Sequence, residues 1–285
     1  MPRPRPRWTP GRQLVGFVVL AAALSWWPWP LTALNPSSTS MVPVGPTLAA
    51  IIVAALAGGR RELLALLHQL VRWRVHIRWY AVALVGPVVL IGLTVLATVA
   101  LGATADTTAG LPGWTALITA FVVRTLVGGA LGEELGWRGF LLPRLRRRHG
   151  ALVASLLVGV VWSVWHLPLF LAGPATAQRP VLQFLLWMLA LSVLHTWLYE
   201  RTGSSVLITT IFHGGINAAS SLLLPLFHGA DYQLLWWLLV VTTTAWASAV
   251  VWARPIAWTR PHAADDSTSG AHQRSGAQPP REGQG

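Results

Sequence analysis

Long apolar segments alternate with short arginine-bearing segments along most of the chain. A helix that crosses a bilayer needs about 20 mainly apolar residues, and eight segments approach or reach that length. The predicted spans are residues 14–34, 42–58, 79–101, 114–134, 151–172, 181–199, 204–226 and 233–252. The strands of a transmembrane β-barrel alternate apolar and polar residues. These runs are uninterrupted, which argues against a β-barrel. The pattern therefore predicts an all-α polytopic membrane protein with about eight transmembrane helices.

The arginines predict the orientation of these spans. If the N-terminus is inside, the outer segments hold only Arg179, together with Asp106 and Asp231. The inner segments then hold Arg3, Arg5, Arg7, Arg12, Arg60, Arg61, Arg72, Arg74, Arg78, Arg144, Arg146, Arg147, Arg148, Arg201, Arg254 and Arg260. Because cytoplasmic segments are enriched in basic residues, both termini are predicted to be cytoplasmic.

Composition supports this class and excludes others. The 285 residues are 54% hydrophobic and only 11% charged, with no cysteine. A soluble domain carries about 25% charged residues, so this chain has too few for a hydrated surface. A net charge of +12 would also suit nucleic-acid binding, but the arginines cluster between apolar runs, so no nucleic-acid partner is predicted. The lack of cysteine excludes disulfides, thiol nucleophiles and cysteine metal sites.

The ends of the chain differ from its middle. Residues 1–12 predict a disordered basic tail, residues 13–254 a single membrane domain, and residues 255–285 a disordered C-terminal tail. A basic start before an apolar run also resembles a signal peptide. No small-residue cleavage site follows, and the tryptophans after Trp26 suit an interfacial anchor, so we predict a retained first span.

The segment Arg60–Arg78 is not predicted to cross the bilayer. Leu63, Leu66 and Leu70 recur at helical spacing, with charged residues at the flanks. This pattern predicts an amphipathic helix at the inner interface.

Two adjacent carboxylates and an arginine follow the fourth apolar run, at Glu133, Glu134 and Arg138. Ionisable residues at membrane depth are costly and mark functional sites. Glu134 and Arg138 are four residues apart with the acid first, which predicts an ion pair on a helix. Glu133 points about 100° away, and its i+4 neighbour is Trp137. We therefore predict a structural role for the pair and a general-base role for Glu133.

Two further pairs lie in other apolar runs, Trp162 with His166 and His213 with Asn217. Each pair is four residues apart and so shares one helical face. Each pair would also serve as an interhelical contact that only stabilises the bundle. Together with Glu133, however, they suit hydrolysis: a base, two imidazoles, and an amide donor for an oxyanion.

The sequence also allows a metal site. Glu133, His166 and His213 would suit a divalent ion such as zinc with one open position. The H-E-x-x-H helix of soluble zinc proteases is absent, so no spacing supports it. His195 is interpreted as a packing residue, and Arg124 is expected to face Glu133, Glu134 or a water-filled cavity. The other histidines fall in interfacial segments, loops and tails: His68, His76, His149, His228, His262 and His272.

The three motifs resemble those of the CPBP family, which comprises CAAX prenyl endopeptidases and bacteriocin-processing or abortive-infection membrane proteins. They are Glu133-Glu134-x-x-x-Arg138, Trp162-x-x-x-His166 and His213-x-x-x-Asn217, within a family core of about residues 60–220. The segment GEELGWRGFLLPRL is similar to the corresponding segment in bacterial members of the family. One departure is Trp162, where the family usually has phenylalanine.

The resemblance implies an eight-helix core whose active site opens to the cytoplasmic side. It implies that Glu133 and His166 activate water, and that His213 and Asn217 stabilise the oxyanion. Glu134 and Arg138 would support them.

The function expected on these grounds is intramembrane proteolysis in a bacterial cytoplasmic membrane. The substrate would be a peptide or protein of CAAX type, lipidated or not, or one related to a bacteriocin. The exclusive use of arginine as the basic residue is typical of a high-GC bacterium. The alternative is a non-catalytic carrier or scaffold that uses the same Glu and His residues as a proton relay. The absence of internal repeats counts against a carrier built from inverted repeats.

Overall fold

A computed structural model describes residues 8–35, 40–108, 110–171 and 180–253, and the predicted tail at 255–285 lies outside these ranges. Regular structure in the described residues is helical throughout. The α-helices are α1 Pro10–Trp26, α2 Gly45–His68, α3 Ile77–Ala100, α4 Trp114–Leu126, α5 Ala130–Glu134, α6 Leu142–Arg146, α7 Ala151–Trp165, α8 Pro168–Leu171, α9 Val181–Arg201, α10 Val206–Leu223 and α11 Gly229–Trp252. A π-helical segment, Leu135–Leu141, joins α5 to α6, and short 3₁₀ segments lie at Trp29–Ala33 and Leu224–Leu226.

Seven helical stretches in the described residues are long and apolar enough to cross a membrane. They are Pro10–Ala33, Ile77–Ala100, Trp114–Arg146, Ala151–Leu171, Val181–Arg201, Val206–Leu226 and Gly229–Trp252. The prediction of an all-α polytopic membrane protein is confirmed.

The predicted second span, residues 42–58, is not among these seven stretches. Helix α2 is interrupted at Gly59, whose φ of +64° is outside the helical region. The apolar part before Gly59 is therefore only about 21 Å long, whereas the hydrocarbon core of a bilayer is about 30 Å thick. This part of α2 still runs back along α1, since Gly45 lies against Ala21 and Ser25 near the end of α1.

Three other predicted boundaries also move. Helix α1 already begins at Pro10, where the Thr9 hydroxyl accepts a hydrogen bond from the Arg12 N–H, so the predicted tail is shorter than residues 1–12. The helix predicted over residues 60–78 ends at His68. The fourth predicted span breaks between α4 and α5, where Gly129 has a φ of +116°. Glycine and N-cap chemistry, rather than hydrophobicity, decides these ends.

Arginine-bearing segments from distant parts of the chain meet at one end of the bundle, which we call the arginine end. Arg144 pairs with Glu62 and also donates to the Gln13 side chain. Arg146 Nε lies 2.6 Å from Glu200 Oε1. These contacts bring the start of α1 together with α6 and with the C-terminal parts of α2 and α9.

The opposite end, which we call the aspartate end, is formed by residues 101–108 and 224–231. The Asp106 N–H donates to the Leu226 carbonyl at 2.6 Å, and the Thr104 N–H donates to Asp231 at 3.0 Å. Hydrogen bonds from the Thr108 hydroxyl and backbone N–H lower the pKa of Asp106 below its usual value, so this end stays negatively charged at neutral pH.

Helix α10 forms the centre of the bundle, with helices α3, α4, α5 and α9 packed around it. Its two adjacent glycines permit this close packing. Gly214 lies directly against Thr125 of α4, and Gly215 lies against Pro87 of α3. Small residues allow helix backbones to approach closely in membrane bundles, and here they bring His213 and Asn217 into the middle of the protein.

Candidate functional site

The predicted ion pair forms at the centre of the bundle. Arg138 NH1 donates to Glu134 Oε1 at 2.8 Å, and both side chains are fully buried. His213 Nδ1 lies 2.9 Å from the same carboxylate oxygen. The guanidinium also stacks over the Trp162 ring at 4.3 Å, a cation–π contact. Residues from the α5–π segment, α7 and α10 are thereby joined through this ion pair.

Glu133 faces away from this pair, as its position one residue earlier requires. It is 4% exposed. Its Oε2 accepts hydrogen bonds from Trp162 Nε1 at 2.6 Å and from Trp137 Nε1 at 3.3 Å. The sequence predicted no basic i+4 partner for Glu133 because Trp137 carries no charge, but both indoles act as neutral donors. They fix the orientation of the carboxylate without neutralising it.

His166 is the C-cap residue of α7, and Asn217 lies on α10. His166 Nδ1 lies 2.8 Å from the Trp162 carbonyl, and its ring packs edge-on against Trp165 and Phe184. Asn217 donates to the Gly128 carbonyl at 3.4 Å, at the break between α4 and α5. Both side chains are half-buried.

One cavity of about 790 Å³ connects these groups. Its lining includes Glu133, His166, His213 and Asn217, which are the residues that the sequence assigned to hydrolysis. Arg124 also lines it, in agreement with the expectation of a cavity-facing arginine. Seven aromatic residues contribute to the remaining walls: Trp162, Trp165, Phe184, Trp187, Phe227, Tyr232 and Trp236. Glu134 and Arg138 are not part of the lining.

The possible metal ligands differ from the predicted set. Among the described residues, the donor atoms that lie together belong to Glu134, His195 and His213, within 4.8 Å of one another. Glu133 and His166 are not in this group, since Glu133 turns toward the two indoles. His195 was missed because it stands in no motif. The feature that could have identified His195 is the one used for His166, namely an imidazole within an apolar span.

This group has the donors of a metal site but a poor electrostatic setting for one. Glu134 Oε2 and His195 Nε2 are buried without a hydrogen-bond partner in the described residues, and His and carboxylate ligands suit zinc. However, Arg138 already lies against the Glu134 carboxylate. A fixed cation at that distance would repel a divalent ion. These residues therefore fit a metal less well than they fit a metal-free polar cluster.

Comparison with known proteins identifies the region that contains the site. Residues 114–219 match the family model for type II CAAX prenyl endopeptidase Rce1-like proteins. The match covers 114–219 of the 285 residues, so this part of the chain is similar to an Rce1-like domain. This match is narrower than the core of residues 60–220 expected from the motifs, yet it includes all three of them. The resemblance drawn from the motifs is thus confirmed.

One curated relative matches over a similar length. CAAX prenyl protease 2 of Methanococcus maripaludis is 33% identical over 109 residues, which are 36% of this chain and 40% of the relative. The matched stretch thus spans less than half of the relative's length.

The buried pair predicts a specific pattern of stability. We expect Arg138→Met to lower the free energy of unfolding by about 3–5 kcal/mol, because it leaves the Glu134 carboxylate buried without its cation. The double variant Glu134→Gln/Arg138→Met should recover most of that loss. Thermal unfolding in detergent would measure both, with Arg61→Met at an exposed position as a control. Equal stability of the single and double variants would contradict the analysis.

Proposed function

We propose that this protein is an intramembrane endopeptidase that hydrolyses peptide bonds with water activated by Glu133 and His166. The observation that carries the proposal is the presence of Glu133, His166, His213 and Asn217 in the lining of one cavity within a membrane bundle. The Rce1-like domain and the protease relative support it.

Glu133 is the general base in this proposal. Its Oε2 is held by the two indole N–H groups, so Oε1 is the oxygen that takes a proton from water. Gly129 lies beside Oε1, and a side chain there would fill the space next to this oxygen. His166 faces the same cavity and assists in orienting the water. Water adds to the peptide carbonyl, and the proton taken by Glu133 passes to the leaving amine.

His213 and Asn217 form the oxyanion site. Glu134 accepts a hydrogen bond from His213 Nδ1, which fixes the plane of the imidazole. The other ring nitrogen, Nε2, donates to the oxyanion when the ring carries both protons, and the Glu134 carboxylate then balances the positive charge of the ring. Asn217 lies one helical turn further along α10 and supplies an amide N–H. Glu134 and Arg138 act as positioning residues beneath this pair.

The substrate is proposed to be a peptide or protein segment with apolar side chains or a lipid group. The aromatic walls offer no charged partner except Glu133 and Arg124, with histidines as the other titratable groups. Pockets of about 300–1,000 Å³ bury most of a drug-sized ligand, so this one holds a few extended residues. A CAAX-type or a bacteriocin-related peptide meets this description. The bacterial cytoplasmic membrane is the proposed location.

No step of this mechanism uses a metal. If a divalent ion binds, Glu134, His195 and His213 would hold it, and it would polarise the peptide carbonyl or bound water.

The first test is the loss of the proposed base. We expect Glu133→Gln to lower kcat about 10²–10⁴-fold, since general-base catalysis contributes that much. The purified protein would be assayed with lipidated and plain peptide libraries. Glu62→Gln changes a carboxylate at the arginine end and serves as the control. If no preparation cleaves any peptide, while Glu133→Gln abolishes transport or partner binding, the carrier or scaffold alternative is correct.

The second test concerns Trp162, the tryptophan that replaces the usual phenylalanine. Trp162→Phe keeps an aromatic ring but removes the N–H that contacts Glu133. A hydrogen bond to a charged group contributes about 1.5–3 kcal/mol, so kcat/KM should fall about 10–100-fold. The thermal unfolding midpoint should change little. Trp187→Phe, which also removes a cavity indole, is the control and should keep most of the activity; equal losses in both variants would refute the assignment.

The third test concerns the metal. Because the ion pair with Arg138 disfavours a divalent ion at Glu134, we expect cleavage to persist after dialysis against a strong chelator. Elemental analysis should find well under one equivalent of metal in the purified protein. Loss of cleavage on chelation, restored by zinc and abolished in His195→Ala, would instead show a metal centre at Glu134, His195 and His213.

A further inference from the structure

The residues that line the cavity range from buried to exposed. Glu133, His195 and His213 form its floor. Its rim includes Pro225, His228 and Gly229, which are exposed, with Ser221 and Tyr232 half-buried beside them. These rim residues belong to the aspartate end, where His228 Nε2 lies 3.9 Å from Asp106.

Toward the arginine end the described residues close the bundle. Gly139 packs against Leu66 and Val206, and Leu198 and Val206 are fully buried. A second cavity of about 310 Å³ lies beyond them and is lined by Gln69, Arg72, Arg144 and Tyr199, among others. The two cavities share no lining residue. The floor of the site therefore has a packed layer between it and the arginine end.

The arginines assign the two ends to the two sides of the membrane. All described arginines except Arg124 and Arg138 lie at or beside the arginine end, and the segments of the aspartate end contain none. Basic segments are retained in the cytoplasm during membrane insertion. The aspartate end, and the mouth of the cavity with it, therefore faces the opposite side. This differs from the cytoplasmic opening that the family resemblance implied.

We infer that peptide substrates enter the cavity and reach Glu133 from the extracytoplasmic side of the membrane. The inference rests on the proposed function and narrows its substrate class. The substrate would be an exported peptide, or a membrane protein segment exposed at the outer leaflet, rather than a cytoplasmic C-terminus. Apart from His228, the rim residues are Ser221, Pro225, Gly229 and Tyr232, none of them acidic or basic, which suits a peptide with few charges.

The absence of cysteine from the chain allows a direct test. Ser221→Cys places a single thiol at the rim of the cavity, Thr107→Cys places one on the exposed surface of the aspartate end, and Val71→Cys places one on the exposed surface of the arginine end. Intact cells would be treated with a membrane-impermeant maleimide. Ser221→Cys and Thr107→Cys should react in intact cells, whereas Val71→Cys should react only after permeabilisation. Each variant is also labelled after denaturation to show that its thiol is present.

Two results would overturn the inference. Labelling of Ser221→Cys only after permeabilisation would place the mouth in the cytoplasm. Labelling of Ser221→Cys only after denaturation would show that water does not reach the cavity. Both readouts are independent of catalysis, so they do not bear on the endopeptidase proposal. Conversely, the expected labelling with no cleavage of any peptide would leave the access route standing and reject the proposed function alone.

Discussion

A buried charge pair is the constraint on which this structure depends. Glu134 and Arg138 are fully buried in the middle of the bundle, where either charge alone would be prohibitively costly. Their mutual contact offsets much of that cost, and His213 and the Trp162 ring add further contacts. Glu134 Oε2 and Arg138 Nε and Nη2 have no hydrogen-bond partner among the described residues. Because Trp162 and His213 come from α7 and α10, the pair has these contacts only when the helices pack as they do. The electrostatic requirement thus fixes the position of the catalytic candidates.

Adjacent residues have divided roles because a helix separates them by about 100°. Glu134 turns toward Arg138 and His213, whereas Glu133 turns toward the cavity and the indoles of Trp137 and Trp162. A π-helical segment follows immediately, and such segments often occur at functional sites. One carboxylate therefore holds the bundle together, while its neighbour remains accessible from the cavity.

The cavity extends from the site toward one end of the bundle. A packed apolar layer separates the site from the arginine end, and the rim lies among the exposed residues of the aspartate end. Hydrolysis within a bilayer requires a route for water as well as for the peptide. In the proposed mechanism both pass the rim of the cavity. The aromatic walls would exclude water from most of the cavity, which strengthens the electrostatic interactions at its floor.

The sequence by itself determined the class of the protein, the order of its long apolar helices and four residues that line one cavity. Apolar run length set the spans, and the four-residue spacing of Glu134 and Arg138 set their pair, because both are local properties of a helix. Only the tertiary structure decided which groups meet across helices. It brought His195 beside Glu134, gave Glu133 its two indole donors, and turned the mouth of the cavity away from the arginines. It also interrupted α2 at Gly59, where backbone conformation overrides hydrophobicity. These features depend on packing between distant segments, which no spacing within one helix specifies.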